Sequence, residues 1–138
     1  MMRVKALDHL VLTVRNLESS IQFYETILGM QATKFQPANS SMIPRWALTF
    51  GQQKINLHPA EAPFAPYATH PKPGSADMCF LSDAPLTSWQ EHFMKHNVKI
   101  LEGPVKRTGA TGPIESLYVL DPDGNLIEVS NCINKETL

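Results

Sequence analysis

Apolar and polar residues along the chain follow a pattern that appears once near the start and again near the middle. Asp8-His9-Leu10-Val11-Leu12 is a short apolar run with polar residues at its head, the mark of a buried strand. Leu17, Ile21, Tyr24 and Leu28 then recur at helical spacing and predict an amphipathic helix. Asn16 suits its N-cap, and Gly29 suits the position just past its end, where a left-handed residue is favoured. Gln31–Phe35 reads as a short strand. After a loop comes a hairpin turning at Gly51-Gln52-Gln53 and carrying Ile55-Asn56-Leu57 on its second arm. The order is β-α-β-β-β.

Sliding the chain along itself until His9 lies on Asp77 reproduces this order. Asp8–Leu12 then covers Ala76-Asp77-Met78-Cys79-Phe80. Leu86, Trp89 and Phe93 form the second helical stripe, and Pro85 fits its first turn. Asn97, the second-choice left-handed cap, falls on Gly29, and this coincidence of caps weighs more than any apolar match. Lys99–Glu102 reads as the next strand. With a slightly longer loop, Trp46 lies on Tyr118, Leu48 on Leu120, and Ile55-Asn56-Leu57 on Ile127-Glu128-Val129. The second hairpin turns at Asp121-Pro122-Asp123-Gly124-Asn125, rich in turn formers.

The fold predicted is α+β: one domain, 1–138, of two tandem βαβββ modules, 4–58 and 75–131, making a curled eight-stranded mixed sheet around a cleft. Between them, 59–74 holds Pro59, Pro63, Pro66, Pro71 and Pro73, five of the eleven prolines, and reads as a semi-rigid linker.

Composition narrows the function. With 43% hydrophobic and 18% charged residues, the chain is an ordinary globular protein. A net charge of −1, without a basic cluster, argues against nucleic acid or a membrane surface as partner. Two cysteines, Cys79 and Cys132, allow no disulfide framework, and Cys79 sits in an apolar run that reads as buried. Val4–Val14 is too interrupted by polar residues for a signal or spanning segment, which makes the cytoplasm the expected location.

If the modules pair about a pseudo-twofold axis, repeat-equivalent positions face one another, His9 opposite Asp77 and Asn56 opposite Glu128. A carboxylate within Leu126-Ile127-Glu128-Val129 then calls for a partner or a cation, because an unpaired buried charge is costly. His58, two residues past Asn56, shares its strand face as a reserve ligand or turns to solvent beside the linker. His70 is a candidate for the cleft mouth. Arg107, in a glycine-bearing loop, suits a carboxylate or phosphonate group. Trp46 and Tyr118 are core aromatics or a flat wall for a ligand.

Asp8-His9-Leu10, the run Ser20-Ile21-Gln22-Phe23-Tyr24-Glu25-Thr26-Ile27-Leu28-Gly29-Met30, and Asp121-Pro122-Asp123-Gly124-Asn125-Leu126-Ile127-Glu128 together resemble the vicinal oxygen chelate superfamily. That superfamily includes glyoxalase I, extradiol dioxygenases, fosfomycin-resistance and bleomycin-binding proteins. The chain is most similar to small glyoxalase-domain proteins with a run such as Arg107-Thr108-Gly109-Ala110-Thr111-Gly112-Pro113-Ile114, and the likeness spans about Lys5 to Asn131. The resemblance implies metal ligands at His9, Asp77 and Glu128, with Asn56 at the fourth-strand position; Asn56, His58, Arg107 and Tyr118 are the expected substrate contacts. It also implies a homodimer, a small-molecule substrate, and a divalent ion among Mn²⁺, Fe²⁺, Ni²⁺ and Zn²⁺. One imidazole with two carboxylates is a hard set that shifts preference toward Mn²⁺, Fe²⁺ or Mg²⁺.

Two positions depart from the pattern. Asp77 stands where His is common, and Asn56 where glyoxalase I has Glu. Asn56 cannot accept the proton that glyoxalase isomerisation moves, so Asp77 or Glu128 would be the catalytic base. The leading expectation is a metal-dependent lyase, isomerase or epoxide-adding enzyme acting on an oxygen-bearing substrate. The rival is a metal-free small-molecule or drug-binding protein of the bleomycin-resistance type. A scaffold with a vestigial cleft is the third. Elemental analysis of protein purified without chelator separates the first two, and on the metal reading Glu128→Ala abolishes metal binding. A full equivalent of metal retained by that variant refutes the ligand set.

Overall fold

Among the described residues, eight strands form two four-stranded mixed sheets, each built from one copy of the repeat. The computed structural model describes residues 1–35 and 45–133. The loop ahead of the first hairpin lies outside the described residues. The chain divides into two compact units, Met1–Pro73 and Gly74–Leu138.

In the first unit β1 (His9–Val14) leads into α1 (Leu17–Gln22), which continues as a π-helical turn over Phe23–Ile27. Then follow β2 (Gln31–Phe35), β3 (Arg45–Phe50) and β4 (Gln53–Pro59). The sheet order is β1-β4-β3-β2, with β1 parallel to β4 and the other pairs antiparallel. Asn16 caps α1 by accepting the Ser19 amide at 2.9 Å, and Gly29 takes φ +73° beyond its end, as read from the sequence. The π turn rotates the buried stripe. Ser20, Phe23, Tyr24 and Ile27 are the buried residues, where the periodicity had pointed to Leu17, Ile21, Tyr24 and Leu28. Leu12, Leu48, Ile55 and Leu57 cover one sheet face and form the core with that stripe.

The second unit runs β5 (Asp77–Leu81), α2 (Leu86–Lys95), β6 (Glu102–Thr108), β7 (Pro113–Leu120) and β8 (Leu126–Cys132). Its sheet order, β5-β8-β7-β6, repeats the first. Leu117, Val119, Ile127 and Val129 are fully buried with Phe93 of α2. Asn97 holds φ 58°, the counterpart of Gly29. Among the described residues no helix is long and apolar enough to cross a membrane.

Three expectations need correcting. The strand read at Lys99–Glu102 begins only at Glu102 and extends to Thr108, so Arg107 lies on a strand and not in a loop. Pro104 argues against a regular ladder there, and the pairing with β7 does shift register between Glu102 and Val105 before it resumes. Cys79 is exposed, because it alternates outward from Met78 and Phe80 on β5. Trp46 and Tyr118 are not equivalent. Asn56 pairs with Ala47, whereas Glu128 pairs with Tyr118, so the counterpart of Tyr118 is Ala47. A one-residue slip exchanges sheet faces, and Trp46 pairs with Leu57 on the core face.

The β7–β8 turn is locked by side chains. Asp121 Oδ1 accepts the amides of Asp123 and Asn125 at 2.9 Å, and Asn125 Nδ2 donates to Asp121 Oδ2 at 2.8 Å. Asn125 Oδ1 accepts the Ala76 amide at 2.8 Å, which fastens the start of β5 to the turn. Asn125 is fully buried. Asn125→Ala removes the acceptor of the Ala76 amide, a loss of about 1–3 kcal/mol, together with one of the hydrogen bonds to Asp121. Urea unfolding of the variant is therefore expected to show a lower midpoint with unchanged slope.

Candidate functional site

Strand alternation in the second unit turns one set of residues away from the α2 core. At a common level across the sheet stand Cys79 on β5, Glu128 on β8 and Tyr118 on β7. At the next level Leu81, Ser130 and Ser116 follow. This face and the loop between β6 and β7 enclose a cavity of about 420 Å³, lined by Cys79, Leu81, Arg107, Ile114, Tyr118 and Glu128 among others. That volume suits a small organic molecule.

Two serines hold the carboxylate of Glu128. Ser116 Oγ donates to Glu128 Oε2 at 2.5 Å, and Ser130 Oγ approaches the same oxygen at 3.4 Å. The serines bond each other at 2.6 Å, and Ser130 reaches Cys79 Sγ at 3.3 Å. Both serines are fully buried, so the network anchors the half-buried Glu128 from below. Sequence reading missed them. The available signal was the two-residue period, since Ser116 precedes Tyr118 by two positions and Ser130 follows Glu128 by two.

Arg107 and Tyr118, both expected at a substrate site, meet. Arg107 Nε donates to Tyr118 Oη at 3.0 Å, Nη1 donates to the Lys106 carbonyl at 3.0 Å, and Nη2 lies 3.4 Å from Glu102 Oε1. Burial pushes the Tyr118 phenol up, the Arg107 hydrogen bond opposes this, and the charge of Glu128 adds to it. Tyr118 therefore remains a neutral phenol near pH 7. The hydrogen bond to Tyr118 is the first cause that holds the Arg107 guanidinium above its ordinary value. Although Cys79 as a residue is exposed, partial desolvation in the pocket wall raises its thiol, against the Ser130 hydrogen bond and reinforced by Glu128. A thiol so placed is protonated and a poor nucleophile.

Asp77 heads β5 on the same sheet face, exposed, at the level of Leu126. The remaining candidates belong to the first unit. His9, Asn56 and His58 lie on the sheet face opposite the core, at successive levels. His9 is 44% exposed, and its Nδ1 donates to Asp8 Oδ1 at 2.8 Å. In the neutral ring that bond leaves Nε2 as acceptor, the arrangement found behind metal-bound imidazoles. Asn56 Oδ1 is buried without a hydrogen-bond partner. His58 is buried rather than turned to solvent, with its ring 5.1 Å from that of Phe64, which also stacks 4.0 Å from the Arg45 guanidinium. His70 is exposed in the linker. Among the described residues no group of three His, Cys, Asp or Glu side chains stands close enough together to hold a metal ion.

Comparison with known proteins gives a consistent result. Residues 6–129 match the profile of the Glyoxalase/Bleomycin resistance protein/Dioxygenase superfamily. Virulence protein STM3117 of Salmonella typhimurium is 48% identical over 96% of this chain and 88% of its own length. Its crystal structure superposes with a TM-score of 0.87, covering 96% of this chain and 100% of that one. Glyoxalase domain-containing protein RDO1 of Mycosarcoma maydis is 48% identical over 93% of this chain and 69% of its own. A structure from the mobile metagenome of V. pseudocholerae, VPC_CASS1, is 49% identical with a TM-score of 0.89, covering 97% of this chain and 99% of that one. A lactoylglutathione lyase of Agrobacterium tumefaciens and the antibiotic-binding protein TnmS3 of Streptomyces share the fold at 20% and 17% identity, with TM-scores of 0.67 and 0.72.

Burial sets a pH response on the first unit. Desolvation, and secondly the Arg45 charge, lower the His58 pKa below its ordinary 6.5. As pH falls through 6.5 the unfolded chain takes up this proton before the folded protein does, so stability declines toward acid and is unaffected above. Thermal melts from about pH 7.5 to about pH 5 should show His58→Gln losing less of its melting temperature than the parent. An equal loss in both proteins would rule out His58 as a source of the slope.

Proposed function

Because the chain belongs to the glyoxalase/bleomycin resistance protein/dioxygenase superfamily, we propose that the pocket of its second unit binds a small, largely apolar molecule bearing an oxyanion or carbonyl oxygen. One observation carries this reading: a guanidinium, a neutral phenol and an anchored carboxylate share one cavity wall with Leu81 and Ile114. Arg107 keeps N–H donors beyond those committed to Tyr118, Lys106 and Glu102, and these suit an oxyanion. Tyr118 supplies a hydroxyl that stays protonated. The apolar wall displaces water and strengthens both contacts.

Glu128 gives the site a second capability. With Oε2 committed to Ser116 and Ser130, the carboxylate is held against rotation, and its remaining oxygen is the group suited to take a proton from a bound ligand. Asn56 has no such capacity. In lyase or isomerase chemistry on this fold, Glu128 is the base. The same arrangement without turnover binds a ligand carrying a hydroxyl or a protonated amine.

A divalent cation is the second reading, favoured by the hydrogen bond from His9 to Asp8. Because the described residues assemble no three-ligand group, no step of the proposed chemistry passes through an ion.

Phenylphosphonate and benzoate combine an apolar ring with an oxyanion and serve as probes. Both should raise the melting temperature of the parent protein. Arg107→Met should bind them roughly ten- to a hundredfold more weakly, the loss typical of one charge-assisted hydrogen bond. Arg107→Lys should recover only part of that affinity, because an ammonium lacks the planar fork. Affinity unchanged in Arg107→Met, or no probe binding by the parent, overturns the assignment.

A further inference from the structure

Away from the pocket, the first unit buries a donor and an acceptor that the described residues leave unmet. Arg45 Nε and Asn56 Oδ1 are both shut off from solvent without a hydrogen-bond partner. They stand on neighbouring strands, β3 and β4, on the sheet face opposite the core. Asn56 pairs with Ala47, so Arg45 lies one level further along, beside His58. The Phe64 ring covers that level, 4.0 Å from the Arg45 guanidinium and 5.1 Å from the His58 ring. Diagonal neighbours across a strand pair have Cα atoms about 7–8 Å apart. Arg45 Nε does not donate to Asn56 Oδ1 across that gap.

Each of the two atoms specifies what would complete it. A guanidinium N–H calls for an oxygen acceptor, best an anionic one, whereas Asn56 Oδ1 calls for an O–H or N–H donor. Leaving either unmet in a buried place is costly. The strand positions that share this face carry Arg45, Lys54 and His9 and no Asp or Glu. The face therefore supplies no counter-charge of its own. Water can bridge a donor and an acceptor, but it brings no charge to answer the guanidinium. A small oxyanion with a hydroxyl on the adjoining carbon meets both requirements.

We propose that Arg45 and Asn56 form a binding site in the first unit for a small α-hydroxycarboxylate, its carboxylate on Arg45 and its hydroxyl donating to Asn56 Oδ1. Phe64 keeps water from one side of the guanidinium, which strengthens the ion pair. An α-amino acid offers a similar donor but brings a cation to a face that already carries Arg45 and Lys54. The site lies within the first unit and shares no lining residue with the pocket of the second, so it does not rest on the function proposed for that pocket.

Glycolate and acetate differ by one hydroxyl and serve as probes. They are titrated into isotopically labelled full-length protein and followed by NMR at the Arg45 Nε–H and Asn56 side-chain amide resonances. Glycolate should shift both saturably and bind roughly tenfold more tightly than acetate, the worth of one added hydrogen bond. Asn56→Ala should bring glycolate down to the affinity of acetate, and Arg45→Met should lose both probes. Arg45→Met exchanges the guanidinium for an apolar chain, and a retained cooperative melt separates lost binding from a lost fold. Arg107→Met should bind glycolate as the parent does while losing phenylphosphonate, which keeps the two sites distinguishable. The inference fails if glycolate moves neither resonance, a bound water only being the reading then. It also fails if the parent binds acetate as tightly as glycolate, if Arg45→Met retains glycolate, or if Arg107→Met loses it. The last result would assign the anion to the second unit.

Discussion

The register of β8 is the constraint on which the candidate site depends. Glu128 lies between Ile127 and Val129, both essentially unexposed, so the strand reads inward on either side of it. A shift by one residue would drive the carboxylate into the apolar core and turn two large aliphatic side chains outward. Both neighbouring strands oppose that shift, β5 in parallel and β7 in antiparallel pairing. The turn before β8 adds a polar lock, because Asn125 bonds to Asp121 on one side and to Ala76 on the other. The turn residues do more than reverse the chain. They fix which face Glu128 occupies.

From that register the rest of the wall follows. Tyr118 must share the level of Glu128, and Ser116 and Ser130 must share the next one. Buried hydroxyls need partners, and a carboxylate one level away answers that need. The serines in turn hold the carboxylate still. Arg107 reaches Tyr118 because the irregularity after Glu102 re-aims β6 before pairing resumes. The site is built on strands rather than loops, apart from the short connection between β6 and β7, which favours fixed geometry over adaptation.

Much of this was legible in the sequence, and the misses have specific causes. The repeat was visible because caps are local chemistry: Asn16, Gly29 and Asn97 act within a few residues of themselves. The strand face of Glu128 was equally legible from its alternation. Arg107 was misplaced because the glycine-bearing run after it reads as a loop that includes it, whereas β6 continues through Arg107 to Thr108 before that loop begins. The pairing of Trp46 with Tyr118 failed because apolar residues match one another at several offsets. Only hydrogen-bonded register distinguishes Trp46 from Ala47 as the counterpart. The buried stripe of α1 shifted because a π turn leaves no mark in apolar spacing. Ser116 and Ser130 were passed over because serine carries no charge to draw notice, although their positions were implied by those of Tyr118 and Glu128.

Register also shows how the two copies have diverged in chemistry. The positions of Cys79, Glu128 and Tyr118 correspond to Val11, Asn56 and Ala47 in the first unit. Those of Ser116 and Ser130 correspond to Arg45 and His58. Where the second unit sets a carboxylate over two hydroxyls, the first sets a neutral amide beside a guanidinium and a buried imidazole. The carboxylate is held by the two hydroxyls, whereas in the first unit Asn56 Oδ1 and Arg45 Nε are each buried without a hydrogen-bond partner. The Arg45 charge in turn helps keep His58 unprotonated, which suits an imidazole packed under Phe64. The repeat thus preserves positions while reversing electrostatic character. For that reason residues of the second unit, rather than their counterparts, carry the acid–base part of the proposed function.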